Sequence, residues 1–173
     1  LRYRSEAGFA GSRAVFDALG GRVEAEARPA GRRGLDLGLA GDIEAGVVAD
    51  WLQLPLLRFA EGRAPITGSL RIAGGGAAGL TLESPLTGVA LDVPRPFTKA
   101  AAQALPLTLT VPLQASPRLD LALGERLRAA LQFGPAGLAK TAAALGGEAP
   151  RPADCDARYC LAGELSVLDA AAW

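Results

Sequence analysis

Ser84–Lys99 reads SPLTGVALDVPRPFTK, and Leu105–Leu113 reads LPLTLTVPL. The second phrase decides the fold. Leu105, Leu107, Leu109, Val111 and Leu113 alternate with Pro106, Thr108, Thr110 and Pro112. Apolarity at period two places one row of side chains on each face of an extended chain, so the phrase predicts a strand with one face out of water. Proline cannot donate to a ladder and is confined to edges, strand starts and bulges. Pro106 and Pro112, both opposite the leucines, therefore predict an irregular or edge-like strand that fits poorly inside a compact sandwich. In the first phrase, Pro94 and Pro96 fix an extended, non-pairing backbone. That predicts a stiff crossover from one strand into a short helix over Thr98–Ala104.

The same alternation recurs outward from this stretch. Leu35, Leu37 and Leu39 share one face, as do Leu80 and Leu82, then Leu119, Leu121 and Leu123, and more weakly Leu161 and Leu165. Turn signals separate these runs at Gly20-Gly21, Gly31 to Gly34, Gly74 to Gly76 and Ser116-Pro117. Strand–turn–strand order predicts antiparallel neighbours. One helix is predicted over Val47–Leu56, with Val47, Val48, Trp51, Leu52 and Leu56 on one face, Asp42 or Glu44 near its start and Pro55 at its end. Leu138–Leu145 is a weaker helical candidate, stopped by Gly146-Gly147. Two phrases, GLDLGLAGDI at 34–43 and CLAGELSVLDAAAW at 160–173, place Leu-Ala-Gly ahead of a helix-like or tryptophan-bearing segment, which reads either as matching units or as chance in an Ala/Leu/Gly-rich chain.

Composition excludes several functions. The 173 residues suffice for a core. Eighteen basic and 18 acidic side chains cancel, which argues against a nucleic-acid partner. With no histidine, the usual general base and the commonest metal ligand are both missing, and Ser84 and Ser116 have nothing to activate them. Gly74-Gly75-Gly76 lacks the Gly-Lys-Ser/Thr of a phosphate loop. Asp120, Asp154, Asp156 and Asp169 read as solvated charges rather than as an acid–base or cation site. Arg13, Arg22, Arg28, Arg32 and Arg33 make a mildly basic first third, read as a hairpin face or as contacts to lipid headgroups. Trp51 is a core anchor or an amphipathic contact. No catalytic residue, metal or cofactor is expected. No window is long and apolar enough for a spanning helix. The opening Leu-Arg-Tyr-Arg without a signal core predicts a piece of a longer chain, with any anchor elsewhere. Cys155 and Cys160, in DCDARYC, read as free thiols, a local disulfide or half a zinc site.

The Ser84–Lys99 phrase resembles a pattern of the large AsmA-like envelope proteins of Gram-negative bacteria, the YhdP family in particular. The matching positions are Ser84, Leu86, Gly88, Pro94, Pro96 and Lys99, followed by the alternating strand. FDALGG at 16–21, GRAPITGSLRI at 62–72 and AGELSVLDAAAW at 162–173 resemble flanking strands of the same module. The cysteine loop is no part of that pattern. The resemblance implies a mainly β fold, an elongated, bent antiparallel sheet forming a groove, with one or two short helices. It implies that 1–173 is a single β-rich segment of a larger repetitive periplasmic protein anchored in the inner membrane. The function implied is a conduit carrying phospholipid between inner and outer membranes, supporting outer-membrane lipid homeostasis. Its partners would be phospholipid acyl chains and neighbouring segments of the same chain, with membrane contact made outside this fragment. Leu35, Leu37, Leu39, Leu80, Leu82, Leu107, Leu109 and Val111 would line the concave side. Export of such a family implies a disulfide between Cys155 and Cys160, contributing about 2 kcal/mol for so short a loop. Two other readings stand beside this one. A β-rich scaffold would bury its aliphatic face as a core. A membrane barrel would carry aromatic girdles, which 5% aromatics do not supply.

Overall fold

The computed structural model describes residues 11–30, 34–52, 58–73, 78–94, 97–113, 118–135, 137–148 and 151–164. Among these, strands dominate: β1 (Arg13–Ala18), β2 (Gly21–Ala30), β3 (Gly34–Glu44), β4 (Ala60–Ile72), β5 (Ala78–Ser84), β6 (Val89–Leu91), β7 (Leu107–Pro112), β8 (Arg118–Leu123), β9 (Leu127–Gly134), β10 (Gly137–Leu145) and β11 (Tyr159–Gly163). They form one open, bent sheet in the order β1-β2-β3-β4-β5-β7-β8-β9-β10-β11, with β6 on β4. Every neighbouring pair from β1–β2 to β9–β10 is antiparallel, as the strand–turn–strand pattern predicts. β1 and β11 stand at opposite ends of the order and do not pair with each other, so the sheet is not a closed barrel.

The first hairpin shows local sequence fixing local geometry. Ala18 pairs with Gly21, leaving a two-residue turn of Leu19 (φ 51°) and Gly20 (φ 77°). Positive φ at both central residues follows the right-handed twist of the strands. A side chain at Gly20 would collide with Glu44 and Val47, so the helix after β3 sits close over this turn. That helix, α1, spans Ala45–Leu52, beginning two residues ahead of the predicted Val47. Its predicted tail, with Pro55 and Leu56, lies outside the described residues, as does the side chain of Trp51. So do the turns at Gly31 to Arg33, Gly74 to Gly76 and Ser116-Pro117, together with Arg32, Arg33, Pro96, Leu165, Asp169 and the closing AAAW.

Three expectations are corrected. Leu138–Leu145 belongs to strand β10, paired with β9 from Gly137↔Gly134 to Leu145↔Leu127. Its alanine run favours a helix intrinsically, but ladder pairing overrides a preference of a few tenths of a kcal/mol per residue. Thr98–Ala104 is not helical: Lys99 forms a β-bridge with Leu91 and the following residues run as turns. The stiff crossover is therefore an irregular hairpin, turning where Phe97 N–H donates to the Pro94 carbonyl at 3.1 Å. Finally, β7 is interior, between β5 and β8. Its prolines bracket the strand instead of marking an edge. Pro106 precedes β7 and accepts from Gly124 N–H at 2.6 Å, while Pro112 closes it.

β11 departs from the antiparallel rule, running parallel to β10 from Thr141↔Tyr159 to Leu145↔Gly163. A parallel pair needs a connection that returns the full strand length. Here the return carries a 3-10 turn (Pro152–Asp154) that packs on β9 and β10. Ala130, Ala142 and Ala144, exposed by 2% or less, lie beneath this return with Pro152 and Cys155 buried above. Small side chains allow the close approach, and Lys140 Nζ donates to the Cys155 carbonyl at 2.9 Å.

Candidate functional site

Antiparallel partners in register share a face, so the ladder can be followed across the whole sheet. One row reads Ala14, Ala25, Leu39, Gly68, Leu82, Leu109, Leu121, Ala129, Ala143 and Leu161. A second begins Ala27, Leu37, Leu70, Leu80 and Val111. A third joins Leu35 to Ile72, and a fourth takes Ser84 through Leu107, Leu123, Leu127 and Leu145. All eight residues assigned to the lining thus lie on one face. The paired strand positions on this face carry no charged side chain, and their polar ones are Ser84, Thr141 and Tyr159.

The opposite face is polar. It carries Asp36 against Arg71 and Glu44 against Arg63 as cross-strand pairs at 3.1 and 3.2 Å. Exposed pairs of this kind contribute under about 1 kcal/mol each, but a one-residue slip would separate both. A hollow on this face, edged by Thr108, Thr110, Arg118, Asp120 and Glu148, mixes both signs of charge. Arg118 already pairs with Asp120 at 2.7 Å. Asp154 likewise pairs with Arg151 at 2.9 Å, so these two carboxylates are surface ion-pair partners. Asp156 is exposed.

The apolar face is incompletely covered. All eight lining residues are half-buried. No large side chain among the described residues is fully buried, and the buried apolar set is mostly small, such as Ala27, Ala64 and Val89. Where Gly68 leaves room on this face, a Cβ would strike the Leu82 side chain and the Thr81 carbonyl. The Leu82 side chain therefore lies flat over Gly68.

The five described pattern residues, Ser84, Leu86, Gly88, Pro94 and Lys99, do different work. From Thr67 to Gly62, β4 advances five residues while its partner advances six, from Glu83 to Val89. This is a bulge between β5 and β6, the device that bends a strand. Ser84 sets it up: its hydroxyl donates to the Pro65 carbonyl at 2.8 Å and accepts Leu86 N–H at 3.0 Å. Leu86 (φ 50°) and Gly88 (φ 93°) carry the turn. A Cβ on Gly88 would run into the Arg63 carbonyl, so only glycine fits there. Lys99 then fills the bulge. Only 2% exposed, it donates from Nζ to the carbonyls of Leu86 at 2.8 Å, Val89 at 2.6 Å and Ala100 at 3.2 Å. Desolvation pushes its pKa below the ordinary 10.5. Pro94 shapes the hairpin turn. Sequence reasoning found these positions without finding their joint task, because the bulge that gathers them is a property of strand register.

Cys155 and Cys160 are paired, with their Cα atoms 6.1 Å apart. The pair ties the return segment to edge strand β11, whose Tyr159 and Leu161 are 63% and 70% exposed. Protein taken from its native compartment without reductant is expected to show no alkylation at either cysteine by mass measurement. A Cys155→Ser/Cys160→Ser variant should lose about 2 kcal/mol of stability. Two freely labelled thiols would count against the pairing.

The chain matches the family profile described as YhdP protein over residues 5–173. No curated protein and no solved structure matches it.

Proposed function

Because the chain belongs to the YhdP family, a lipid-transport family of the cell envelope, we propose that it is one length of a phospholipid conduit between the inner and outer membranes. On this reading it is a periplasmic, non-catalytic segment of a larger, repetitive protein. Acyl chains slide over the Leu35–Val111 face on the concave side of the bent sheet, and neighbouring segments continue the track. The observation that carries the proposal is the uncharged, aliphatic face that follows register from β1 to β11, with no second sheet over it among the described residues. A scaffold module would close a second layer over such a face. No helix among the described residues is long and apolar enough to cross a membrane, so on this reading membrane contact is made outside the segment.

Energetics support this use. Exposing an acyl tail to water costs about 0.8 kcal/mol per CH₂, on the order of 10 kcal/mol per tail. An apolar strip offsets most of that while leaving the headgroup wet. The row through Leu82 and Leu109 crosses ten strands. Nine steps of about 4.8 Å make roughly 43 Å. A tail spans about half of a ~30 Å hydrocarbon core, so two or more fit in line. Few polar groups converge on the face, which predicts weak headgroup selectivity.

Photoreactive residues at Leu82 and Leu109 of the intact protein in cells should crosslink to phospholipid, and one at Thr108 on the opposite face should not. Equal labelling at Thr108 would argue against the groove. Labelling at none of the three would return the chain to the scaffold reading.

A further inference from the structure

The two long margins of the apolar face differ. At the margin near β6, the face is closed over. Ala60, Ala64, Val89 and Leu105 are buried there, with Ala45 of α1, Leu86 and Leu91 packed around them. Lys99 lies among them with all three of its donors engaged. At the opposite margin, near the tips of the β2–β3, β4–β5 and β7–β8 hairpins, Ile72 is 37% and Leu113 46% exposed, and Leu35 is half-buried. Ile72 is paired with Leu35 in register, and Leu113 N–H bonds the Ala78 carbonyl. Among the described residues, one margin is therefore walled and the other open.

A phospholipid on this face must keep its phosphate in water, since an ionised group buried without partners is far costlier than an exposed one. At the walled margin, buried apolar side chains stand between the face and water, and the Lys99 ammonium has spent its donors on backbone carbonyls. The open margin offers water and arginines. Arg71 is the chain neighbour of Ile72, and Arg118 is the neighbour of Leu119. Both stand at this margin on the polar face, with side chains 75% and 43% exposed, and each pairs with a surface carboxylate, Asp36 or Asp120. Such pairs are weak enough to exchange a carboxylate for a phosphate.

We propose that phospholipid rides this segment in one orientation, with its headgroup at the hairpin-tip margin beside Ile72 and Leu113 and its tails toward Leu82 and Leu109. The proposal rests on the conduit reading and adds a fixed side to it. The test uses the unsubstituted, full-length protein in cells, loaded with phosphatidylethanolamine bearing a diazirine either on the headgroup or at the tail end. Labelled residues are mapped by peptide mass spectrometry. The headgroup probe is expected to label 70–73 and 111–113 at least tenfold more than 86–91 and 99–105. The tail probe is expected to label 80–82 and 107–109. Headgroup labelling that is equal at both margins, or reversed, overturns the orientation while tail labelling upholds the conduit. Absence of tail labelling at 80–82 and 107–109 overturns both.

Discussion

Leu109→Asp in the intact protein is expected to slow phospholipid movement between the membranes by about 100-fold while leaving the chain folded. Leu109 stands in mid-row between Leu82 and Leu121 and is half-buried. An aspartate placed among acyl chains costs about 3 kcal/mol on insertion scales, and each 1.4 kcal/mol is a factor of ten. A conduit is limited by its worst step, so one carboxylate in an otherwise uncharged row sets the barrier for every molecule that passes. The cost to folding is smaller. A half-exposed leucine contributes about 1 kcal/mol by burial, against a domain stability of about 5–15 kcal/mol. Ser69→Asp is the control, being exposed on the polar face and registered with Gly38 and Thr81, so that no like charge lies directly opposite. It should transport within twofold of the parent. A Leu109→Asp protein present at normal levels, with native circular dichroism and full transport of labelled phospholipid, would remove this face from the pathway.

How much of this was legible before the structure depends on which interaction decides each element. Period-two alternation is local and survives hairpin connections, because antiparallel partners keep the same face. That is why eight residues chosen from separate strands, from Leu35 to Val111, fall on a single surface. The errors share an opposite cause. Ala142–Ala144 looks helical by propensity, yet Ala142 and Ala144 are small because the return segment lies over them. Pro106 and Pro112 mark the ends of an interior strand, where no ladder donor is missed, which composition alone does not distinguish from an edge. β11 pairs in parallel through a returning connection that no local pattern announces. Lys99 was visible as a pattern position, but its role depends on three carbonyls up to 13 positions away in sequence, gathered by a one-residue bulge.

That lysine carries the second large effect: Lys99→Met is expected to destabilise the chain by about 3 kcal/mol. The opposing terms are both sizeable. Burying an ammonium costs several kcal/mol, the same desolvation that lowers its pKa from 10.5. Three charge-assisted hydrogen bonds offset this at about 1.5–3 kcal/mol each. Methionine removes the charge and its cost together, and its unbranched stem fills similar space. What it cannot do is donate. The Leu86 carbonyl still accepts Val89 N–H at 3.3 Å, so the loss falls chiefly on the Val89 and Ala100 carbonyls. A buried acceptor left without its donor costs about 1–3 kcal/mol, and with two such carbonyls the loss comes to about 3 kcal/mol. Lys99→Arg separates charge from geometry. A planar guanidinium keeps the charge but cannot aim three donors from one nitrogen at carbonyls on three sides, so it should fail nearly as badly. The measurement is urea unfolding at neutral pH, with limited proteolysis between α1 and β7 as a local readout. The bulge should open first, unwalling the margin at Val89 and Leu105 and admitting cleavage there before the rest of the sheet melts. A Lys99→Met chain within 1 kcal/mol of the parent, equally resistant to protease, would show that packing rather than the ammonium holds this margin shut.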